Sequence, residues 1–178
     1  MTVIKSVRAR HEAGMRFEIT TGSGHTLAID DVEGDSAPRP AELLLAAQAG
    51  CTALDVASIL VKKRQSFASY AVSVTGEQRE DHHPHVYQRI EIVHEFEGSD
   101  LDVTAVERAI ELSATRYCTA SAMFSAGPAE IHHRYVVTRG GGRPVDSGEV
   151  VVTGPGEDPD ALGQRWLAAA AAPAGVAG

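Results

Sequence analysis

The first thirty residues alternate apolar and polar side chains in short runs. Residues 2–10, 15–21 and 24–30 each have the two-residue period of a β-strand. The segment TGSGH at 21–25 places two glycines where a tight turn would join the second and third runs. The pattern predicts three antiparallel strands, followed by the acidic loop DDVEGDSAPRP and a helix.

That helix is strongly apolar, with the sequence AELLLAAQAGCTALDVASILVKK at residues 41–63. Pro40 suits its first position, and Gln65 and Ser66 are expected to end it. Only Asp55 is charged between Leu43 and Val61, so the segment is long enough to cross a membrane. A central carboxylate among alanines and polar residues would insert poorly. We therefore expect a helix buried inside the protein and covered on most sides.

The second half of the chain repeats the strand period and then changes to a helical one. FASYAVSVTGEQRE and HVYQRIEIVHEFEG form a predicted hairpin with DHHP as its turn. Thr104 and Glu107 form a T-x-x-E capping box, which predicts a helix running to Cys118 or to Phe124. GPAEIHHRYVV is the expected final strand. The order β-β-β-α-β-β-α-β predicts an α+β fold with antiparallel sheet rather than a doubly wound one.

After Val137 the composition changes to glycine, alanine and proline. We expect one domain over residues 1–137 and a carboxy-terminal tail over 138–178. Within the tail, Asp158 and Pro159 could start a short helix at 159–172.

The net charge of the chain argues against two classes of binding partner. The 178 residues contain 24 acidic and 16 basic side chains, for a formal net charge of −8. This charge repels nucleic acid and anionic lipid, so neither is an expected partner. The amino terminus lacks the apolar core of a signal peptide, so we expect a cytoplasmic location and no membrane association.

The chain has two cysteines, Cys51 and Cys118, which lie 67 positions apart in two predicted helices. Their spacing matches no zinc knuckle and no C-x-x-C motif. They are either two small core residues or a pair able to form a disulfide. The second interpretation requires the two helices to pack side by side with Cα atoms within about 7 Å.

Three segments together resemble the OsmC/Ohr family, particularly its divergent members with a GCTA-x-D helix. They are RPAELLLAAQAGCTALDVASILVKKRQ, GEQREDHHPHVYQRIEI and VERAIELSATRYCTASAMFS, and the likeness covers residues 1–137. The resemblance implies an intertwined homodimer in which two long central helices, each bearing a cysteine, are wrapped by antiparallel sheet. It also implies a thiol-dependent peroxidase that reduces organic hydroperoxides. Cys51 would be the peroxidatic residue and Cys118 the resolving residue. The implied reductant is a lipoyl-type dithiol, with no cofactor bound to the chain.

The family's activating residues are matched less well than its cysteines. The family holds an arginine beside the thiolate with a glutamate one residue after the helix-starting proline, and here that position is Ala41. Glu42 lies one residue further, about 180° around the helix from Cys51, where it could instead cap the helix. Arg16 and Arg39 are the candidate arginines, and we prefer Arg16 because a strand holds a guanidinium more firmly.

Asp55 lies one turn after Cys51, where an ionised carboxylate disfavours a thiolate. We expect it to have a buried partner, with Arg79, Arg64 and Lys62 as candidates.

Three functions remain open. The first is a thiol-dependent peroxidase. The second is a non-catalytic module of the same fold that binds a small ligand or responds to redox conditions. The third is metal binding through the cysteines and the histidines of HHPH (82–85) and His132–His133. Turn polarity and strand alternation also explain those histidines, and we expect no metal site.

Overall fold

A computed structural model describes residues 2–140 and 142–156. The chain divides into two compact units, residues 1–47 and 48–178. The predicted helix at 159–172 lies outside the described residues.

The first unit contains the three predicted strands, β1 (Val7–Ala13), β2 (Arg16–Thr21) and β3 (Thr26–Ile29). They form an antiparallel sheet in the order β1-β2-β3. Gly24 has a φ of 89° in the turn before β3, a conformation that glycine adopts without steric cost. The first strand begins five residues later than the alternation predicts.

Helix α1 (Pro40–Lys62) starts at the predicted proline and ends before the predicted Gln65–Ser66. Its buried residues are spaced by four and mark one face: Gln48, Thr52, Val56 and Leu60. Elsewhere on the helix, Leu54 is 75% exposed and Val61 is 66% exposed. The expectation of cover on most sides is therefore not met within a single chain. By length and composition alone, α1 could also cross a membrane, a test that core helices pass as well.

The second unit is built on a four-stranded sheet in the order β4-β5-β6-β7. The strands are β4 (Ser69–Gln78), β5 (Tyr87–Glu97), β6 (Glu130–Arg139) and β7 (Arg143–Thr153). The β4–β5 hairpin is antiparallel, as predicted. The predicted α+β fold with antiparallel sheet therefore contains one parallel pair, β5–β6, because α2 and the segment after it connect these strands as a crossover. Strand β7 lies in the segment assigned to the tail and pairs antiparallel with β6.

The second helical region is interrupted. Helix α2 (Val103–Leu112) is followed by a π-helical turn (Ser113–Tyr117) and by helix α3 (Thr119–Ser125). The predicted continuous helix through Cys118 is therefore wrong, because Cys118 has an extended conformation with ψ of 107°. The cap of α2 is Asp102, whose side chain accepts a hydrogen bond from the Thr104 N–H, rather than Thr104 itself.

The core of the second unit lies where α1 and α2 meet the inner face of the sheet. Its buried members are Val56, Leu60, Phe96, Leu101, Ala105, Val106, Ala109, Ile110, Tyr135 and Val137. Alternate residues of β5 point into this core, which is why the period of two was readable in the sequence.

Candidate functional site

The two cysteines lie next to each other in the second unit, and both are free thiols. A carboxylate oxygen of Asp55 completes the cluster: this oxygen and the two Sγ atoms all lie within 4.8 Å of one another. Cys51 is partly exposed, whereas only 2% of Cys118 is exposed. The fold thus brings together the two sequence-predicted cysteines.

Helical periodicity explains two of these three positions. Cys51 and Asp55 are four residues apart on α1, so they occupy the same face one turn apart.

The position of Cys118 depends on the π-helical turn that separates α2 from α3. The Cys118 N–H donates to the Ser113 carbonyl at 2.9 Å, which closes the π-helical turn. Cys118 is then the N-cap of α3, where its Sγ accepts a hydrogen bond from the Ser121 N–H at 3.4 Å. The Cys118 sulfur therefore accepts the N-capping hydrogen bond that a Ser or Asp side-chain oxygen usually accepts at the start of a helix.

Four buried polar side chains form hydrogen-bonded pairs beside Cys118 and Asp55. Gln48 Nε2 donates to Ser121 Oγ at 2.8 Å and lies 3.9 Å from Cys118 Sγ. Thr52 and Ser113 share a hydroxyl–hydroxyl hydrogen bond of 3.1 Å. Sequence reasoning missed these four residues. The available signal was Gln48 and Thr52 at a spacing of four within an otherwise apolar helix, on the same face as the buried Val56.

Asp55 is paired differently from our expectation. Its Oδ2 accepts a hydrogen bond from Ser113 Oγ at 3.2 Å. Among residues 2–140 and 142–156, no lysine or arginine forms an ion pair with it. Of the expected partners, Arg79 instead donates from Nε to the Pro84 carbonyl at 2.8 Å. A neutral hydroxyl therefore replaces the expected cation.

Burial raises the pKa of the Cys118 thiol above its ordinary value, and the neighbouring Cys51 raises it further. The hydrogen bonds from Ser121 act in the opposite direction, but the pKa remains raised overall. Cys118 is therefore held as a thiol at neutral pH, while Cys51 is the more accessible sulfur.

The two predicted activating residues belong to the first unit. Arg16 on β2 donates to Glu12 at 3.0 Å and to the Ser36 hydroxyl at 2.6 Å. Glu42 accepts a 2.8 Å hydrogen bond from the Arg39 N–H, so it does cap α1 as half of a capping box.

A cavity of about 490 Å³ opens beside the cluster. Asp55 and Ser58 line it together with the apolar side chains of Ile59, Leu112 and Tyr117, and Lys62 and Lys63 add positive charge. The cavity gives a small molecule or ion a route to the Asp55 carboxylate.

The histidines do not join this cluster within the described part of the chain. Strand alternation separates the β6 pair: His133 is fully buried, and His132 faces outward between Glu130 and Glu149. His82 pairs with Asp81 in the β4–β5 loop. The described residues hold one candidate group of metal ligands, formed by Cys51, Asp55 and Cys118.

The α+β fold and the paired thiols define a class of small protein with a dithiol site beside a broken helix. We compared the sequence and the fold with those of known proteins. The family model for OsmC-like protein matches residues 33–133. Protein YhfA of Escherichia coli strain K12 is 38% identical over 130 residues, which cover 73% of this chain and 96% of YhfA.

Solved structures share the fold. A hypothetical protein from Aquifex aeolicus VF5 has a TM-score of 0.68 at 27% identity, over 78% of this chain and 98% of that one. An organic hydroperoxide resistance protein OsmC from Legionella pneumophila has a TM-score of 0.55 at 13% identity, with the same coverage, and supports the fold alone. The chain belongs to the OsmC family.

Proposed function

We propose that the protein is a thiol-dependent peroxidase that reduces organic hydroperoxides. The observation that carries the proposal is the placement of two free thiols with sulfur atoms within 4.8 Å. A modest approach of the sulfurs would give the S–S bond length of about 2.0 Å. A pair so placed can be oxidised and reduced repeatedly, which a lone buried cysteine cannot.

The difference in exposure assigns the two roles. Cys51 is the peroxidatic residue because hydroperoxide can reach it, and its thiolate attacks the distal peroxide oxygen. The O–O bond breaks, the alcohol leaves after taking a proton, and Cys51 becomes a sulfenic acid. Cys118, buried and held as a thiol, then condenses with the sulfenic acid to give the disulfide and water. A lipoyl-type dithiol reopens the disulfide by exchange.

Arg16 remains our proposed source of positive charge for the Cys51 thiolate. Within the first unit its guanidinium donates to Glu12 and to the Ser36 hydroxyl, which orient it on β2. Glu42 is assigned to capping α1, which uses one of its carboxylate oxygens at Arg39.

The working form is proposed to be a homodimer in the cytoplasm. In the single chain, α1 leaves Leu54 and Val61 largely exposed, and Leu44 is 52% exposed. A second copy covering this helix would remove that apolar surface from water. Solution scattering at micromolar concentration tests this, with a compact monomer as the contradicting result.

A second candidate function is small-ligand binding without turnover. The cavity beside Asp55 favours it, because apolar and charged side chains line it together, as they do in small-ligand sites. The carboxylate next to the sulfurs also works against thiolate formation.

Steady-state consumption of cumene hydroperoxide with dihydrolipoamide distinguishes the peroxidase function from ligand binding without turnover. We expect turnover by the wild type and none by Cys51→Ser. A wild type that consumes no hydroperoxide above the uncatalysed rate would favour the binding function.

A further inference from the structure

We propose that the reduced protein binds one thiophilic divalent cation, such as Zn²⁺, through Cys51 Sγ, Cys118 Sγ and the Asp55 carboxylate, and that disulfide formation expels it. The site needs only the reduced dithiol, so it does not rest on the proposed peroxidase activity.

The geometry of the three ligand atoms carries the proposal. A tetrahedral zinc site has Zn–S distances near 2.3 Å and Zn–O distances of about 2.0–2.2 Å, which places ligand atoms roughly 3.5–3.8 Å apart. The three atoms here all lie within 4.8 Å of one another. A contraction of at most about 1.0–1.3 Å would therefore suit the ion.

The donor set selects the kind of ion. Two thiolates favour zinc and similar soft cations over magnesium or calcium, which prefer oxygen donors. Three protein ligands leave the fourth tetrahedral position open, as in zinc sites that bind a water or a small ligand there. The cavity lined by Asp55 supplies the path by which the ion and that ligand would enter.

The neighbouring polar side chains are arranged as an outer shell of such a site. Ser113 donates to Asp55 Oδ2, which orients the carboxylate. The Ser121 N–H donates to Cys118 Sγ, and Gln48 Nε2 lies 3.9 Å from the same sulfur. These donors stabilise a thiolate once a cation has replaced its proton.

The charge of the bound form suits a divalent cation. With both thiols deprotonated the cluster carries three negative charges, and Asp55 forms no ion pair with a lysine or arginine of the described residues. A divalent ion offsets most of this negative charge. It would also deprotonate both thiols, as metal binding at cysteine does in general.

Oxidation removes the site. A diazene oxidant such as diamide takes two electrons and two protons from the two thiols, so that an S–S bond forms and the N=N bond becomes a hydrazine. A disulfide has no thiolate to offer, and Asp55 alone cannot retain a soft ion. The cation would thus be held only in the reduced state.

Titration of the reduced, metal-free chain with Co²⁺, a spectroscopic substitute for Zn²⁺, tests the proposal. We expect one equivalent to bind per chain, with a sulfur-to-cobalt charge-transfer absorption that Zn²⁺ abolishes. Cys51→Ser and Cys118→Ser should each halve that absorption per bound ion and weaken binding by at least about 100-fold, more than the loss of an outer-shell contact costs.

Asp55→Asn is the decisive variant, with the exposed Asp100→Asn as its matched control. Asp55→Asn should retain both sulfurs and the absorption but bind at least about 10-fold more weakly, while Asp100→Asn binds as the wild type does. Diamide treatment should abolish binding by the wild type and by both Asp→Asn variants, which all retain the two cysteines. No charge-transfer absorption in the reduced wild type, or equal affinity in the two Asp→Asn variants, would overturn the proposal.

Discussion

Gln48 on α1 donates a 2.8 Å hydrogen bond to Ser121 on α3, and both side chains are fully buried. This bond fastens the helix bearing Cys51 to the short helix that Cys118 caps. It lies within the interior, where an amide hydrogen bond is stronger than in water and an unpaired partner is costly.

Gln48→Leu should therefore lower the free energy of unfolding by about 1–3 kcal/mol, since it leaves the Ser121 hydroxyl buried without its donor. Urea denaturation at fixed protein concentration measures this. The double variant Gln48→Leu/Ser121→Ala should lose less than the sum of the two single losses, because both remove the same bond. Strictly additive losses would contradict the interaction.

The two cysteines should differ in reactivity. Cys118 is buried with a raised pKa, and Cys51 is partly exposed. Iodoacetamide at pH 7 should therefore alkylate Cys51 at least about 10-fold faster, as peptide mass spectrometry would show. Ser121→Ala should slow Cys118 further, because it removes a hydrogen bond that lowers the thiol pKa. Faster labelling of Cys118 would reverse the assigned roles.

The sequence predicted the hairpin of β4 and β5 and the apolar helix α1, because each has a clear period and its own end signals. It could not predict the break at Cys118. The segment SATRY contains neither glycine nor proline, so local propensity continues the helix. The break is defined by contacts with α1, which lies about 60 residues earlier in the chain.

Strand β7 was not predicted, because its local composition suggested no regular structure. Its neighbourhood is rich in glycine and proline, which suggested a tail, yet pairing with β6 makes a strand of residues 143–153.

The cysteines of the site could be predicted from the family resemblance. The hydroxyl and amide groups around them could not, because their roles arise only when α1 meets the π-helical turn.

Two buried histidines should make stability dependent on pH. Burial lowers the pKa of His94 to about 3 and that of His133 to about 4, whereas both stay near 6.5 in the unfolded chain. The unfolded chain thus binds more protons, so stability is complete above pH 6.5 and is lost as the pH falls. Each histidine should contribute a loss of about 1.4 kcal/mol per pH unit between 6.5 and 4.

His133→Leu isolates this effect. Neither ring nitrogen of His133 has a hydrogen-bond partner among the described residues, so an apolar side chain of similar size should be tolerated at pH 7.5. The slope of stability against pH between 6.5 and 4 should then decrease by about 1.4 kcal/mol per pH unit. The exposed His85→Gln serves as the control and should leave the slope unchanged. An unaltered slope in His133→Leu would disprove the assignment.

Arg16 should govern the reactivity of Cys51. Opposite charge close to an acid commonly favours its ionised form by one to three orders of magnitude, so Arg16→Met should slow alkylation of Cys51 at neutral pH by about 10-fold or more. The comparison uses a Cys118→Ser background with Arg39→Met and Glu42→Gln as matched variants. The idea fails if Arg16→Met has no effect while either of the others slows the reaction.

A single-turnover experiment tests the central claim most directly. One equivalent of cumene hydroperoxide is added to the reduced chain without reductant, and alcohol and free thiols are counted. We predict one cumyl alcohol and the loss of both thiols per chain in one step, with an intrachain link between Cys51 and Cys118. In Cys51→Ser the hydroperoxide should remain unreacted. Alcohol formation by that variant, or a wild type that consumes no hydroperoxide and keeps both thiols, would contradict a two-cysteine peroxidase.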